Sequence, residues 1–127
     1  MKTGILLTGL VGLAFAASAG QSAQDLDKLR LLYIGDPGNP RAEEFAGFLR
    51  QNVAEVKIAT RDQFSQSQAA EFDVVMLDWP QSGSARDDRQ KGKSPLGDRG
   101  SWNKPTVLLG SAGLNLAVVW KVRGGSG

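Results

Sequence analysis

The chain contains neither cysteine nor histidine among its 127 residues. Without cysteine it forms no disulfide bond, so its fold must depend on an apolar core. Without histidine it lacks the commonest metal ligand and the usual base at neutral pH. Zinc or copper sites, and catalytic triads that use histidine, therefore cannot be assembled from these residues alone.

An excess of charge of one sign is also missing. Fifteen lysines and arginines oppose thirteen aspartates and glutamates, for a formal net charge of +2. The chain has no basic block and no basic stripe interleaved with aromatic residues, which are the usual features of a nucleic-acid-binding surface. The composition therefore predicts no nucleic-acid partner.

A long apolar run is present at the amino terminus. Lys2 precedes an uncharged segment over residues 4–15, and Ala17-Ser18-Ala19 has the small-x-small pattern of a signal peptidase site. The pattern predicts a signal peptide over residues 1–19 and a secreted or periplasmic protein, with no membrane segment after cleavage. A membrane anchor is the alternative, although a spanning helix needs about 20 predominantly apolar residues.

The remaining length suits one domain. Residues 20–28 are polar and predict a leader, and residues 29–123 predict a single α/β domain. Residues 124–127 (Gly-Gly-Ser-Gly) predict a flexible tail.

Short apolar runs alternate with helical patterns along this domain. Strands are predicted over residues 29–35, 55–59, 72–78 and 106–109, and a helix over residues 41–52, while residues 114–122 fit a helix better than a strand. Asn39 and Pro40 predict the start of the first helix. A capping box of Thr60 and Gln63 predicts a short helix that runs to Ala70.

This order of elements predicts an open parallel sheet in a three-layer, flavodoxin-like α/β fold, with about four strands in the order 2-1-3-4. Residues 81–103 interrupt the alternation, since Leu96 and Trp102 are almost their only apolar residues. A structureless loop of this length is uncommon in a compact domain. It is interpreted either as a solvated excursion or as a lid over a ligand site.

Ligands of such sheets bind at the carboxyl ends of the strands, beside the point where the strand order reverses. The turns after three of the predicted strands converge there. We therefore predict ligand contacts from Asp36, Asp78, Trp79, Ser111 and Gly113. No metal site and no cofactor is predicted.

The last predicted strand and its turn resemble a nucleophile elbow. The sequence Thr-Val-Leu-Leu-Gly-Ser-Ala-Gly-Leu-Asn-Leu-Ala over residues 106–117 resembles that turn in class I glutamine amidotransferase-like proteins. The resemblance places Ser111 at the nucleophile position and Gly113 at the glycine two residues later, with Leu109 in place of an earlier glycine. The order of elements is similar to that of the trehalose-utilisation (ThuA-like) members, which also lack the cysteine nucleophile.

Catalysis by Ser111 would need a base, because a serine hydroxyl is a weak nucleophile on its own. In the superfamily that base is a histidine downstream of the elbow, and this chain has none. Ser111 is therefore interpreted as a turn residue. The alternative is a hydrolase-like enzyme that residues beyond this chain complete.

A second resemblance concerns residues 73–80, Asp-Val-Val-Met-Leu-Asp-Trp-Pro. They resemble the phospho-acceptor strand of a response-regulator receiver domain, which implies Asp78 as acceptor, Asp36 as metal ligand and Ser111 as the hydroxyl residue. Two nearby carboxylates can hold Mg²⁺ or divide acid and base roles between them. Receivers have an acidic pair where this chain has Asp36 alone, so the expectation is a receiver-like interaction module.

The leading hypothesis is an exported, non-catalytic domain that binds a small polar ligand or a protein partner at the switch point of the sheet. Trp79 and Trp102 favour a carbohydrate, because exported sugar-binding proteins often stack aromatic rings on sugar faces. The hydrolase-like enzyme and the receiver-like module are the two alternatives.

Overall fold

The computed structural model of the chain describes residues 25–81 and 83–122. The predicted signal peptide, most of the predicted leader and the predicted tail lie outside these ranges. Among the described residues, no helix combines the length and the apolar character that crossing a membrane requires.

The described residues form one sheet with helices between its strands. The strands are β1 (Arg30–Gly35), β2 (Glu55–Thr60), β3 (Val74–Asp78) and β4 (Thr106–Leu109), and the helices are α1 (Pro40–Arg50), α2 (Gly83–Gln90) and α3 (Ala112–Val119). Single turns of 3₁₀ helix occupy Arg61–Gln63, Gln66–Ala69 and Arg99–Ser101. The four strands lie within a few residues of their predicted positions.

All strand pairs are parallel, and the order is β2-β1-β3-β4. This confirms the predicted open parallel sheet with strand order 2-1-3-4. In register, Leu31 of β1 faces Val56 on one side and Val74 on the other. The strand order reverses between β1 and β3, so the carboxyl ends of these two strands flank the switch point.

One face of the sheet is covered by α1. Ala42 and Ala46 lie one turn apart on this helix and are both buried against Tyr33 and Met76. The helix begins as predicted: Asn39 accepts a hydrogen bond from the Arg41 backbone N–H at 3.1 Å, and a proline occupies the first turn. Small residues on its inner face bring α1 close to the strands.

The opposite face carries the larger part of the core. Its buried members come from all three layers: Leu32, Ile34, Val75, Leu77, Trp79, Ala85, Leu96, Ala112 and Leu116. Trp79 is completely buried, and its indole N–H donates to the Ala85 carbonyl at 2.9 Å. Helices therefore cover both faces of the sheet, as the predicted three-layer arrangement requires.

The prediction of one long loop over residues 81–103 is wrong, since its first part forms α2. Leu96, farther along, is completely buried, and Gln66 Nε2 donates to the Leu96 and Asp98 carbonyls at 2.8 and 3.2 Å. The composition hid the helix because, of the side chains that the structure describes in α2, Ala85 alone is buried. A helix with so small an apolar contact has almost no hydrophobic periodicity.

The predicted capping box of Thr60 and Gln63 is also wrong. The Thr60 side chain makes no capping hydrogen bond, and the chain forms only a 3₁₀ turn after it. A second match to the same pattern forms the contact instead, because the Ser65 backbone N–H donates to Gln68 Oε1 at 2.9 Å. Both pairs fit the capping pattern, so the local sequence could not choose between them.

Leu96 tests whether residues 81–103 belong to the core. Replacing this completely buried side chain, Leu96→Ala, should lower the free energy of unfolding by about 2–5 kcal/mol, because it leaves a cavity under the sheet. Urea denaturation measures the loss. The matched control Leu114→Ala removes the same atoms from an exposed position and should change stability by about 0.5 kcal/mol or less. Equal denaturation midpoints for the two variants would show that the segment is not part of the core.

Candidate functional site

The carboxyl edge of the sheet carries two separate groups of charged side chains. Asp78, the last residue of β3, lies on the side of α1, where its Oδ2 accepts from the Tyr33 hydroxyl at 2.7 Å and pairs with Arg41 Nε at 3.0 Å. The Arg41 guanidinium also lies over the Phe45 ring, 5.7 Å from its centroid. The Asp78 carboxylate is thus held by a cation and a phenol from its own chain.

Tyr33 is completely buried in the central strand. Burial, and secondly the hydrogen bond to Asp78, raise the pKa of the Tyr33 hydroxyl well above its ordinary value. The phenol therefore stays neutral and keeps donating to Asp78 at alkaline pH.

Gly35 makes room for this contact. A Cβ at this position would lie 2.7 Å from Tyr33 Cε1 and 3.6 Å from Asp78 Cβ. Real Cβ atoms do not approach a ring carbon that closely, so a side chain at Gly35 would displace the Tyr33 ring. The glycine at the end of β1 is required by close packing at the switch point.

The second group lies beyond β2 and β1. The Arg61 side chain is only 1% exposed, and it pairs with Asp36 through Nη1 at 2.9 Å and with Asp62 through Nη2 at 3.1 Å. A buried guanidinium is costly unless carboxylates neutralise it, and both of these do. Asp36 therefore holds the turn after β1 against the turn after β2.

The structure brings Asp36 and Asp78 to the same edge but gives each a different arginine. A carboxylate dyad with divided acid and base roles depends on mutual repulsion within one site. Here Arg61 neutralises Asp36, and Arg41 neutralises Asp78. Within residues 25–81 and 83–122, no three or more acidic side chains cluster in a way that could hold a metal ion.

Ser111 and Trp79 meet through the main chain at the end of β3. The Ser111 hydroxyl donates to the Trp79 carbonyl at 3.1 Å, and Asn115 Nδ2 donates to the same oxygen at 2.9 Å. Asn115 is completely buried, and its Oδ1 accepts from Arg89 of α2 at 3.5 Å. This Trp79 carbonyl network joins the end of β3 to α2 and α3.

Ser111 itself has relaxed backbone angles, with φ −79° and ψ −2°. The left-handed conformation is at Gly110, with φ 55°, where a side chain would also meet Arg41 Nη2 at 3.4 Å. The Ser111 hydroxyl is engaged with a carbonyl rather than with a base, and a serine without a base is a poor nucleophile. The geometry gives Ser111 a structural contact.

Two other predicted contact residues lie within the packing of the domain. The Trp79 ring is completely buried and offers no face on which a sugar could stack. Gly113 lies in α3 against Leu108, whose Cδ1 would be 3.6 Å from a Cβ at that position. Trp102 is partly buried and donates from its indole N–H to Thr106 Oγ1 at 2.8 Å.

A cleft of about 230 Å³ opens beside Arg61, on the face of the sheet opposite α1. Its walls come from the 3₁₀ turn after β2 and from α2 and the residues that follow it: Arg61, Asp62, Phe64, Asp88, Lys93, Ser94 and Pro95. Part of the predicted lid thus forms a fixed wall of this Arg61 cleft. The lining combines two cations, two carboxylates and one aromatic ring.

Sequence reasoning missed Tyr33, Arg41 and Arg61, although two of them left a signal. Tyr33 is the chain's only tyrosine and stands in a predicted buried strand, and a buried tyrosine usually requires a hydrogen-bond partner. Arg61 directly follows β2, which ends at the same edge of the sheet as β1 and β3. Arg41 shows no such signal, because its position on α1 favours solvent.

Tyr33 can be titrated separately because the chain has no other tyrosine. In the folded protein, ultraviolet phenolate absorbance should stay absent as the pH rises past the ordinary tyrosine pKa of 10.0, whereas in denaturant it should appear near that value. The raised pKa contributes stability that is complete below the unfolded value and is lost as pH rises towards the folded one. Asp78→Asn should shift the native titration downward. A native curve that coincides with the denatured curve would contradict the buried contact.

The Trp79 carbonyl network predicts an order of stability for two variants. Ser111→Ala should cost about 0.5–1.5 kcal/mol, because Asn115 still donates to the carbonyl. Asn115→Ala should cost more, about 1–3 kcal/mol, because it removes a completely buried amide. Thermal unfolding of both variants beside the parent measures this order. The reverse order would mean that the Ser111 contact is the main one.

Comparisons with known proteins give no relative for this chain, since no family model, no curated protein and no solved structure matches it. The resemblances of residues 106–117 and 73–80 therefore stay predictions made from those motifs.

Proposed function

We propose that this domain binds a small polar ligand in the Arg61 cleft, without catalysing its conversion. The observation that carries the proposal is the position of the cleft. It opens at the carboxyl edge of a parallel sheet, next to the arginine that holds the Asp36 turn. Ligands of open α/β sheets bind at this edge.

The lining indicates the chemistry of the ligand. Asp62 already pairs with Arg61, so Asp88 and Lys93 supply the charges on the opposite wall. Phe64 adds an apolar surface, which packs edge-on against Trp102 with ring centroids 6.1 Å apart. These groups favour a compact ligand that carries hydroxyl or amino groups together with an acidic group.

The volume agrees with a small ligand. Sites for drug-sized molecules usually measure about 300–1,000 Å³, and this cleft measures about 230 Å³. A monosaccharide derivative or an amino acid is a more suitable candidate than a nucleotide or a polysaccharide chain. A sugar ring in this cleft would lie beside Phe64, not on the predicted Trp79.

Binding without turnover is favoured by the state of the candidate catalytic groups. The hydroxyl of Ser111 is directed to a carbonyl, and the carboxylates of Asp36 and Asp78 are each held by an arginine. A general base must be free to reach a substrate proton. The described residues therefore offer a recognition surface and a poor set of reacting groups.

Lys93 provides the test of this proposal. Neutral monosaccharides, acidic sugars and amino acids are titrated into the isotopically labelled chain, and amide chemical shifts are followed by NMR. One class should shift the amides of Asp62, Phe64 and Ser94, and Lys93→Gln should weaken its binding about tenfold, a loss of about 1.4 kcal/mol. Lys91→Gln is the matched control, because Lys91 is exposed and lies outside the cleft lining.

Two results would count against the proposal. Shifts confined to residues outside the cleft lining would place the ligand elsewhere. Equal weakening by Lys93→Gln and Lys91→Gln would indicate a general effect of charge and no contact in the cleft.

A further inference from the structure

The edge strand β4 exposes apolar side chains on both faces of the sheet. Val107 is 45% exposed and Leu108 is 39% exposed, and successive residues of a strand point to opposite faces. Strands of all-parallel sheets are normally buried on both faces. Among the described strands, β4 has β3 as its single neighbour.

The other edge strand, β2, is protected in the usual way. It carries the exposed charged residues Glu55 and Lys57, and charges on an edge strand discourage pairing with another chain. β4 has no charged residue, and the nearest lysine does not protect it. Lys104 turns its ammonium inward and donates to the Phe72 carbonyl at 2.7 Å and the Ala70 carbonyl at 3.3 Å.

Helix α3, which follows β4, has the same character. Its residues are apolar around the whole circumference except Asn115, which is buried. A helix of this kind is normally covered on all sides. Here Leu114 and Val118, one turn apart, are 58% and 56% exposed, and Val122 beyond the helix is 45% exposed.

We propose that this surface binds the same surface of a second copy of the chain. The β4–α3 surface comprises Val107, Leu108, Leu114, Val118 and Val122. Two copies related by a two-fold axis would place β4 antiparallel to its counterpart and continue the sheet across the interface. The unpaired main-chain groups of each edge strand would then satisfy one another.

Charge favours a copy of this chain as the occupant. Residues 105–120 contain no charged side chain at all, so two such surfaces meet without bringing like charges together. A partner recognised through charge would find nothing to pair with here. The sequence of residues 123–127, Arg-Gly-Gly-Ser-Gly, supplies no apolar side chain that could cover the surface.

This inference is independent of the proposed ligand site. None of the residues that line the Arg61 cleft belongs to the β4–α3 surface. Pairing through β4 would leave the cleft open in both copies. A failure of ligand binding in the cleft would therefore not affect the expected dimer, and the reverse also holds.

The test is the molar mass of the full chain by light scattering after gel filtration, over a series of micromolar concentrations. The parent chain should form a dimer. Val118→Lys should weaken the dimer by about a hundredfold or more, because it brings two ammonium groups together in an apolar contact. Leu108→Lys, which places a charge on the edge strand itself, should have the same effect.

Phe48→Lys is the matched control, since Phe48 is an exposed apolar residue on α1, outside the β4–α3 surface. It should leave the dimer intact, and circular dichroism should show that all three variants stay folded. A monomeric parent would overturn the proposal. A dimer that survives both Val118→Lys and Leu108→Lys would also overturn it, and would assign association to another part of the chain, such as the apolar residues 4–15.

Discussion

The burial of Trp79 is the constraint on which the rest of the domain depends. Its ring fills the centre of the core between the sheet and the helices, and its N–H and carbonyl are bonded to α2 and α3. One residue at the end of β3 thus positions both helices of that layer. The indole that the sequence suggests as a ligand platform instead holds the core together.

Charge at the carboxyl edge follows from the same packing. The sheet separates two arginines, Arg41 on the α1 side and Arg61 on the opposite side, and each holds one carboxylate of the switch point. Neutralised in this way, Asp36 and Asp78 stabilise their turns. The space left for a ligand is the Arg61 cleft, whose far wall is formed by α2 and the chain after it.

The strands, their order and the first helix could all be predicted because each depends on a local pattern. Apolar runs such as Val74–Asp78 have few alternatives to burial in a sheet, and Asn39 with Pro40 specifies a helix start by backbone chemistry. α2 could not be predicted, since Ala85 is its one described side chain that is buried. The capping pair after β2 could not be assigned either, because two equal patterns compete.

The sequence alone therefore determined the parallel α/β sheet, its strand order and the edge at which polar side chains gather, because these follow from hydrophobic periodicity and chain connectivity. The partner of each polar side chain was decided only by the tertiary structure. The pairing of Tyr33 with Asp78, the burial of Arg61 and the engagement of Ser111 with a carbonyl join residues 32 to 45 positions apart or bury a charge beside a distant turn. Such contacts depend on three-dimensional proximity, which no local pattern records.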